Sequence, residues 1–335
     1  MAENKRLRLS DIASHAGVST ATASRVVRGR PGVKEETRQA VLTAMDDLGF
    51  SRERVQRSRS GLVAIMIPEL TNPGFATFID ELDILLSAAG LPNIVCPAGN
   101  TGTTETQHLD QLQALQVDGV ISVSGTPADR YTSNERYQLL ADSGVAMVFI
   151  NGFAPELRGA FFSTSDADSI SQAVAHLRSL GHERIGLATG PVRYLPSRRK
   201  VDAFDALGFS RTDDIATTLF TAEGGQAAAS MLLDSGHTAL VCGSDVMALG
   251  AIREVRARGL DVPRDVSVVG FDDSPLMAFT DPPLTTVRQP VRAMCEAAVS
   301  ALLGELAGEE PSGLEMLFPP DLIIRQSTGP LQATA

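Results

Sequence analysis

The stretch LSDIASHAGVSTATASRVV, residues 9–27, decides how the N-terminal part folds. Ser10 precedes Asp-Ile-Ala and can cap a helix whose Ile12, Ala13 and Ala16 share one face. Gly17 permits a tight turn, and Ser19 can cap a second helix over Thr20 to Val27. At about 100° per residue, Ala23, Val26 and Val27 fall on one side of that helix, with Ala21, Ser24, Arg25 and Arg28 on the opposite side. A stripe of Val41, Leu42, Met45 and Leu48 predicts a third helix over 35–48. Helix, glycine turn and a helix with a polar outer face make a helix-turn-helix. A groove-entering helix must be slim, which suits Ala21 and Ser24. Arginine can fork to guanine, and hydroxyls suit phosphates or bases. On these residues alone, a plain three-helix bundle with an incidental polar face stays open.

Working outward, charge divides the chain. Residues 1–60 hold twelve Lys and Arg against seven Asp and Glu, and the other 275 residues hold 17 against 33. A small basic head on a large acidic body predicts that only the head meets a polyanion. The full 335 residues exceed what one core serves and imply two or three domains. No run of about 18 apolar residues predicts a membrane helix. From the polar, basic N-terminus no signal peptide is expected. Cys96, Cys242 and Cys295 are too scattered for a disulfide framework or a metal knuckle, so a cytoplasmic protein with reduced thiols is expected. His15, His108, His176, His182 and His237 lack metal-ligand spacing, and no phosphate loop, nucleophile elbow or zinc-protease motif occurs. The expectation is no metal, no cofactor and no enzyme.

The body alternates strands and helices. Apolar strands are predicted at Leu62 to Ile67, Ile94 to Cys96, Val120 to Val123 and Val145 to Ile150, with Asn72-Pro73 opening a helix to Ala89. A second series starts near Phe161 and continues with Ile185 to Ala188, Ala239 to Cys242 and Val266 to Gly270. Two lobes of doubly wound parallel sheet are expected, with ligand bound beyond the strand ends in the cleft between them. Asp245 and Asp272 end or follow apolar strands, where a carboxylate can accept from two sugar hydroxyls. Arg198 can donate in a fork, and Phe75 and Phe220 offer apolar faces. Asp245 can equally cap the helix that follows it. A solute-binding protein, or a two-lobe α/β enzyme, shares such a body but needs no basic head.

Residues 9–27, together with VKEETR at 33–38 and LGF at 48–50, resemble the DNA-binding head of the lactose-repressor/galactose-repressor (LacI/GalR) family. The resemblance continues through PELTNP at 68–73, LGHERI at 180–185, SDVMALG at 244–250, VPRDVSVVGFDD at 262–273, PPLTTV at 282–287 and IRQST at 324–328. It implies an all-α helix-turn-helix head on an α/β, periplasmic-binding-protein-like body. It implies a homodimeric regulator, most simply a repressor, of operator DNA that answers a small-molecule effector such as a sugar. Its pattern puts the head at 1–50, a hinge at 51–60 and the body at 61–335. Lobe 1 would take about 61–160 and 289–318, and lobe 2 about 161–288 and 319–328. Arg198 and Asp272 match the family's effector-binding Arg and Asp, and Asn151, Ser244 and Phe220 fall on its cleft positions. Where relatives show Asp-Asn after the second-lobe strand, this chain has Ser165-Asp166.

The candidate DNA contacts are Ser19, Thr20, Ala21, Thr22, Ser24, Arg25 and Arg28, with Arg54 and Arg57 from the hinge. That hinge departs from the family. Phe50 and Arg57 fit its pattern, but Arg52, Glu53, Gln56 and Arg59 stand where relatives carry Pro, Asn, Ala and Leu. The segment is also about one helical turn short. Leucine wedging in the minor groove is therefore not expected. The arginines suggest a backbone or minor-groove contact, with a plain solvated linker as the alternative.

Overall fold

The computed structural model describes residues 9–27, 32–48, 61–99, 103–209 and 211–332. The head is α1 (Leu9–His15), α2 (Thr20–Val27) and α3 (Glu35–Asp47). α1 begins one residue before Ser10, the expected cap. Gly17 takes a φ of +65°, the left-handed turn that glycine allows. The Ser19 hydroxyl accepts the N–H of Thr22 at 3.1 Å and caps α2. Ile12, Ala13, Ala23, Val26, Val27, Val41, Ala44 and Met45 form a core drawn from the head alone.

From residue 61 the chain runs through β1 (Val63–Ile67), α4 (Pro73–Ala88), β2 (Asn93–Pro97), α5 (Glu105–Leu115), β3 (Gly119–Val123), α6 (Glu135–Asp142), β4 (Ala146–Ile150) and β5 (Ala160–Thr164). It continues through α7 (Asp166–Ser179), β6 (Ile185–Thr189), α8 (Leu195–Ala206), β7 (Ile215–Thr217), α9 (Ala222–Asp234), β8 (Ala239–Cys242), α10 (Asp245–Ala257), β9 (Ser267–Asp272) and β10 (Thr285–Arg288). It closes with α11 (Val291–Ala307), β11 (Glu315–Phe318) and β12 (Asp321–Ile323). Two six-stranded sheets result, β11-β5-β4-β3-β1-β2 and β12-β10-β9-β8-β6-β7. All pairings are parallel except β12 against β10.

Each sheet is covered on both faces, which is why β1, β3 and β4 are buried along their whole length and read as unbroken apolar runs. In the first lobe, α4 and α11 press Phe78, Leu82, Leu86, Met294 and Leu302 onto one face. α5 and α6 bring Leu109, Leu112, Tyr137 and Leu140 to the other. α9 and α10 cover one face of the second sheet, and α7 and α8 the other.

One boundary differs from expectation. The run at Phe161 was expected to open the second lobe. Instead β5 pairs with β4 and β11 in the first sheet, so the chain crosses at Ser165 rather than at 160. The segment does precede a helix, as a βα unit should, but which sheet it joins depends on partners far away in the chain.

Candidate functional site

A cavity of about 600 Å³ lies between the lobes. Its wall is built from residues at or just past strand C-termini: Pro68 after β1, Ser124 after β3, Asn151 after β4, Gly243 after β8, Asp272 at the end of β9 and Gln289 after β10. That is where open parallel sheets hold ligands. The backbone is strained at three of these places. Ser124, Asn151 and Asp272 take φ of 60°, 54° and 121° without being glycine. Such conformations cost about 1–3 kcal/mol each and gather at ligand sites.

A polar chain crosses the floor. Asn151 Nδ2 and Thr164 Oγ1 both donate to Gln289 Oε1 at 2.8 Å. Gln289 Nε2 donates to Asp272 Oδ1 at 2.7 Å, and Asn72 of the other lobe lies beside that carboxyl. Gly74 lets the lobes come this close, since a Cβ there would lie 2.9 Å from the Asp272 carboxyl. Burial, together with the neighbouring Asp245 charge, raises the Asp272 carboxyl well above the ordinary range. A ligand hydroxyl donating to it would favour the ionised form.

Not every expected residue reaches the cavity. Phe75, Asn151, Phe220, Ser244 and Asp272 line it. The Phe220 ring lies against Gly190, where any side chain would collide with it, and close to Gly243. The Ser244 hydroxyl caps α10 through the Met247 N–H at 3.2 Å. Asp245 lies outside the lining. Its carboxylate accepts from the Ser274 N–H (2.8 Å), the Ser274 hydroxyl (3.0 Å) and Thr286 Oγ1 (2.6 Å), and burial raises its pKa to about 6. It therefore ties the β9 exit loop to β10, a structural role other than the expected helix cap, which Ser244 supplies. Arg198 also lies outside. It reaches back to Asp202 at 2.9 Å on the solvent side of α8.

The cation that does line the cavity is Lys200. It is buried, ion-paired with Asp166, and sits 3.9 Å from the centre of the Phe271 ring. Sequence reasoning missed it, although the signal was present: Ser197, Lys200 and Phe204 share the buried face of α8. It also missed Asn72, Gln289 and Asp129.

At the rim, Asp129 of the first lobe holds Arg193 of the second, and the Arg130 N–H donates to the Arg193 carbonyl at 3.0 Å. Arg199 pairs in bidentate fashion with Glu315, again across the lobes, at 2.8 and 2.6 Å. Burial raises the Asp129 pKa, but bonds from Arg193, Thr132 and Tyr131 outweigh it and hold the carboxyl below its ordinary value. The clasp is thus intact at neutral pH and lost only as pH falls through that lowered value. Arg193→Ala is expected to speed ligand dissociation and weaken binding by about twofold to tenfold. Stopped-flow measurement of the off-rate checks this, and an unchanged rate would remove the clasp from the account.

In the head, Ser19, Thr20, Ala21 and Arg25 are exposed, and Thr22 and Ser24 are half-buried. The Ser19 and Thr22 hydroxyls bond each other at 2.8 Å. Arg25 pairs with Glu310 of the body at 2.9 Å through an exposed contact, which DNA can displace at little cost. Arg28, Arg54 and Arg57 lie outside the described residues. Among the described residues no group of three or more His, Cys, Asp or Glu could hold a metal, and no helix is long and apolar enough to cross a membrane.

A helix-turn-helix head joined to a two-lobed, cleft-bearing α/β body defines a ligand-responsive transcriptional regulator. Comparison with known proteins agrees. The profile for bacterial regulatory proteins of the lacI family matches residues 8–53, and that for a periplasmic binding protein-like domain matches residues 174–328. The chain is 49% identical to the HTH-type transcriptional regulator MalR of Streptomyces coelicolor over 331 residues, 96% of each chain. Among solved structures, a transcriptional regulator CelR–cellobiose complex has a TM-score of 0.71 at 29% identity, covering 96% of this chain and 100% of that one. The lac repressor dimer bound to operator and the anti-inducer ONPF has a TM-score of 0.68 at 26% identity, covering 97% of this chain and 100% of that one. The chain belongs to the LacI family of bacterial transcriptional regulators.

Proposed function

We propose that the chain acts in the cytoplasm, without catalysis, as a homodimeric repressor whose operator affinity is set by a sugar bound between its lobes. The observation that carries this reading is the cavity at the strand ends of both lobes, built with strained backbone and a continuous polar floor, in a chain whose head folds around its own core. The cellobiose in the CelR complex and the dimer of the lac repressor complex support it by likeness. So do large exposed apolar side chains on both lobes, Ile84 (55% exposed) and Phe279 (85%) among them, which a dimer would cover. Within the cleft, Asp272, Asn151 and Gln289 meet ligand hydroxyls, Phe75 and Phe220 meet its apolar faces, and Lys200 takes the place first assigned to Arg198.

Selection of DNA from a random library by the full-length chain tests the reading. Two inverted half-sites should emerge, spaced by whole helical turns. Absence of any enriched sequence would overturn it. Within the selected site, Arg25→Ala should weaken binding by about 1–3 kcal/mol, the worth of a bidentate base contact. Effector affinity should not change. Ala21→Gln should alter the preferred base pair at one position of each half-site, and an unchanged preference would place Ala21 outside the groove.

A further inference from the structure

The described residues lining the cleft include five acidic side chains, Glu69, Glu105, Asp129, Asp166 and Asp272, and one cationic one, Lys200; Asp129 is already paired with Arg193 at the rim. Lys200 is already neutralised by Asp166. Sugar effectors come uncharged or as phosphates and sugar acids, and the two kinds need opposite surroundings.

Helix N-termini are the other source of positive potential, and several point at this cleft. Five of them carry a side-chain cap. The Gly74 N–H goes to the Asn72 side chain (2.9 Å), Gln107 N–H to Thr104 (3.3 Å), Asp168 N–H to Ser165 (3.3 Å), Gly224 N–H to Thr221 (3.0 Å) and Met247 N–H to Ser244 (3.2 Å). Glu105, Asp166, Glu223 and Asp245 also stand in the first turns of four of these helices. These acids offset the positive ends of the helix dipoles.

α8 alone differs. Tyr194 and Pro196 at its start line the cavity, it has no side-chain cap, and its first turn carries no acid. Its first-turn N–H groups, which no side chain caps, can serve a ligand oxygen. That oxygen would sit in a net-negative cleft, where a hydroxyl or ring oxygen is tolerated and a phosphate dianion is repelled. The aromatic wall from both lobes and a volume of about 600 Å³, well above the smallest ligand pockets at about 300 Å³, give room for more than one pyranose ring.

We infer that the cleft takes an uncharged glycoside of more than one sugar ring and excludes phosphorylated and carboxylated sugars. This rests on the effector reading above. Calorimetry on the full-length protein would use ribose, glucose, cellobiose and maltose, and beside them ribose 5-phosphate, glucose 6-phosphate, glucuronate and cellobiose 6-phosphate. An uncharged disaccharide should bind tightest, and each anionic sugar should bind at least about tenfold more weakly than its parent. An anionic sugar that binds as tightly as its parent, or a monosaccharide that binds tightest, would overturn the inference and leave the effector reading standing. Failure of every sugar to bind would overturn both. Asp166→Asn supplies a second measurement, with folding checked by its melting curve. Freed of its counter-ion, Lys200 should narrow the gap between glucose 6-phosphate and glucose at least several-fold. An unchanged ratio in the folded variant would show that charge is not what excludes the phosphate.

Discussion

Deletion of residues 1–60 should abolish operator binding and leave the effector site intact. The head contributes no residue to any of the four body cores, and the body contributes none to the head's. The fragment 61–335 should therefore stay folded and bind effector with the affinity of the whole chain. It should show no sequence-specific binding at salt and DNA concentrations where the whole chain saturates its site. The acidic balance of that fragment, 17 basic against 33 acidic side chains, opposes even non-specific association with a polyanion. Sequence-specific retention by the fragment would mean that the body reads DNA.

The second large effect is expected at Asp272. Its carboxylate lies where Gln289 and Asn72 of two chain segments converge, on backbone that only a constrained site would hold at a φ of 121°. Asp272→Ala removes the hydroxyl acceptor and leaves Gln289 Nε2 without its partner. An unpaired buried polar group costs about 1–3 kcal/mol, so effector binding should weaken by at least about tenfold. Operator binding without effector should persist, and the variant should no longer respond to effector. If Asp272 is only structural, the variant melts earlier while its folded fraction binds effector normally.

The same carboxylate gives a pH signature. Its folded-state pKa is raised, so any stability from the protonated form is lost as pH rises through the raised value. A bound hydroxyl that donates to Asp272 favours the ionised form, so binding releases a proton. Effector affinity should rise with pH from about 4, the ordinary carboxylate value, until the coupled Asp272 and Asp245 pair is ionised. The slope should not exceed about tenfold per unit for one proton released. Calorimetry in buffers of different ionisation enthalpy reads that proton directly.

Much of this architecture is legible in the sequence because its causes are local. The fully buried strands β1, β3, β4 and β8 announce themselves as apolar runs, and α2 is bounded by a cap and a glycine turn. β11 and β12 are not legible in this way. They are short edge strands of mixed polarity, and β5 shows that sheet membership is set by distant partners. At the site, three consecutive cations, Arg198, Arg199 and Lys200, compete for one inward direction. Two residues apart on a helix lie about 160° apart around its axis, so choosing Arg198 pointed outward. Phe204, four residues beyond Lys200 and fully buried, fixes the phase. Asp245 and Asp272 look alike from their strands. Only the loop that folds back to bring Ser274 onto Asp245 distinguishes the structural carboxylate from the one that lines the cavity.

The central claim is that the cleft and the helix-turn-helix are two sites of one linked equilibrium. It is tested most directly by measuring operator affinity with and without saturating effector, and effector affinity with and without saturating operator, on the same full-length protein. Linkage requires the two ratios to be equal. The account predicts equal factors, on the order of 5–150-fold as is usual for such coupling, both falling to one in Asp272→Ala. An operator affinity that ignores a sugar shown to occupy the cleft would contradict it.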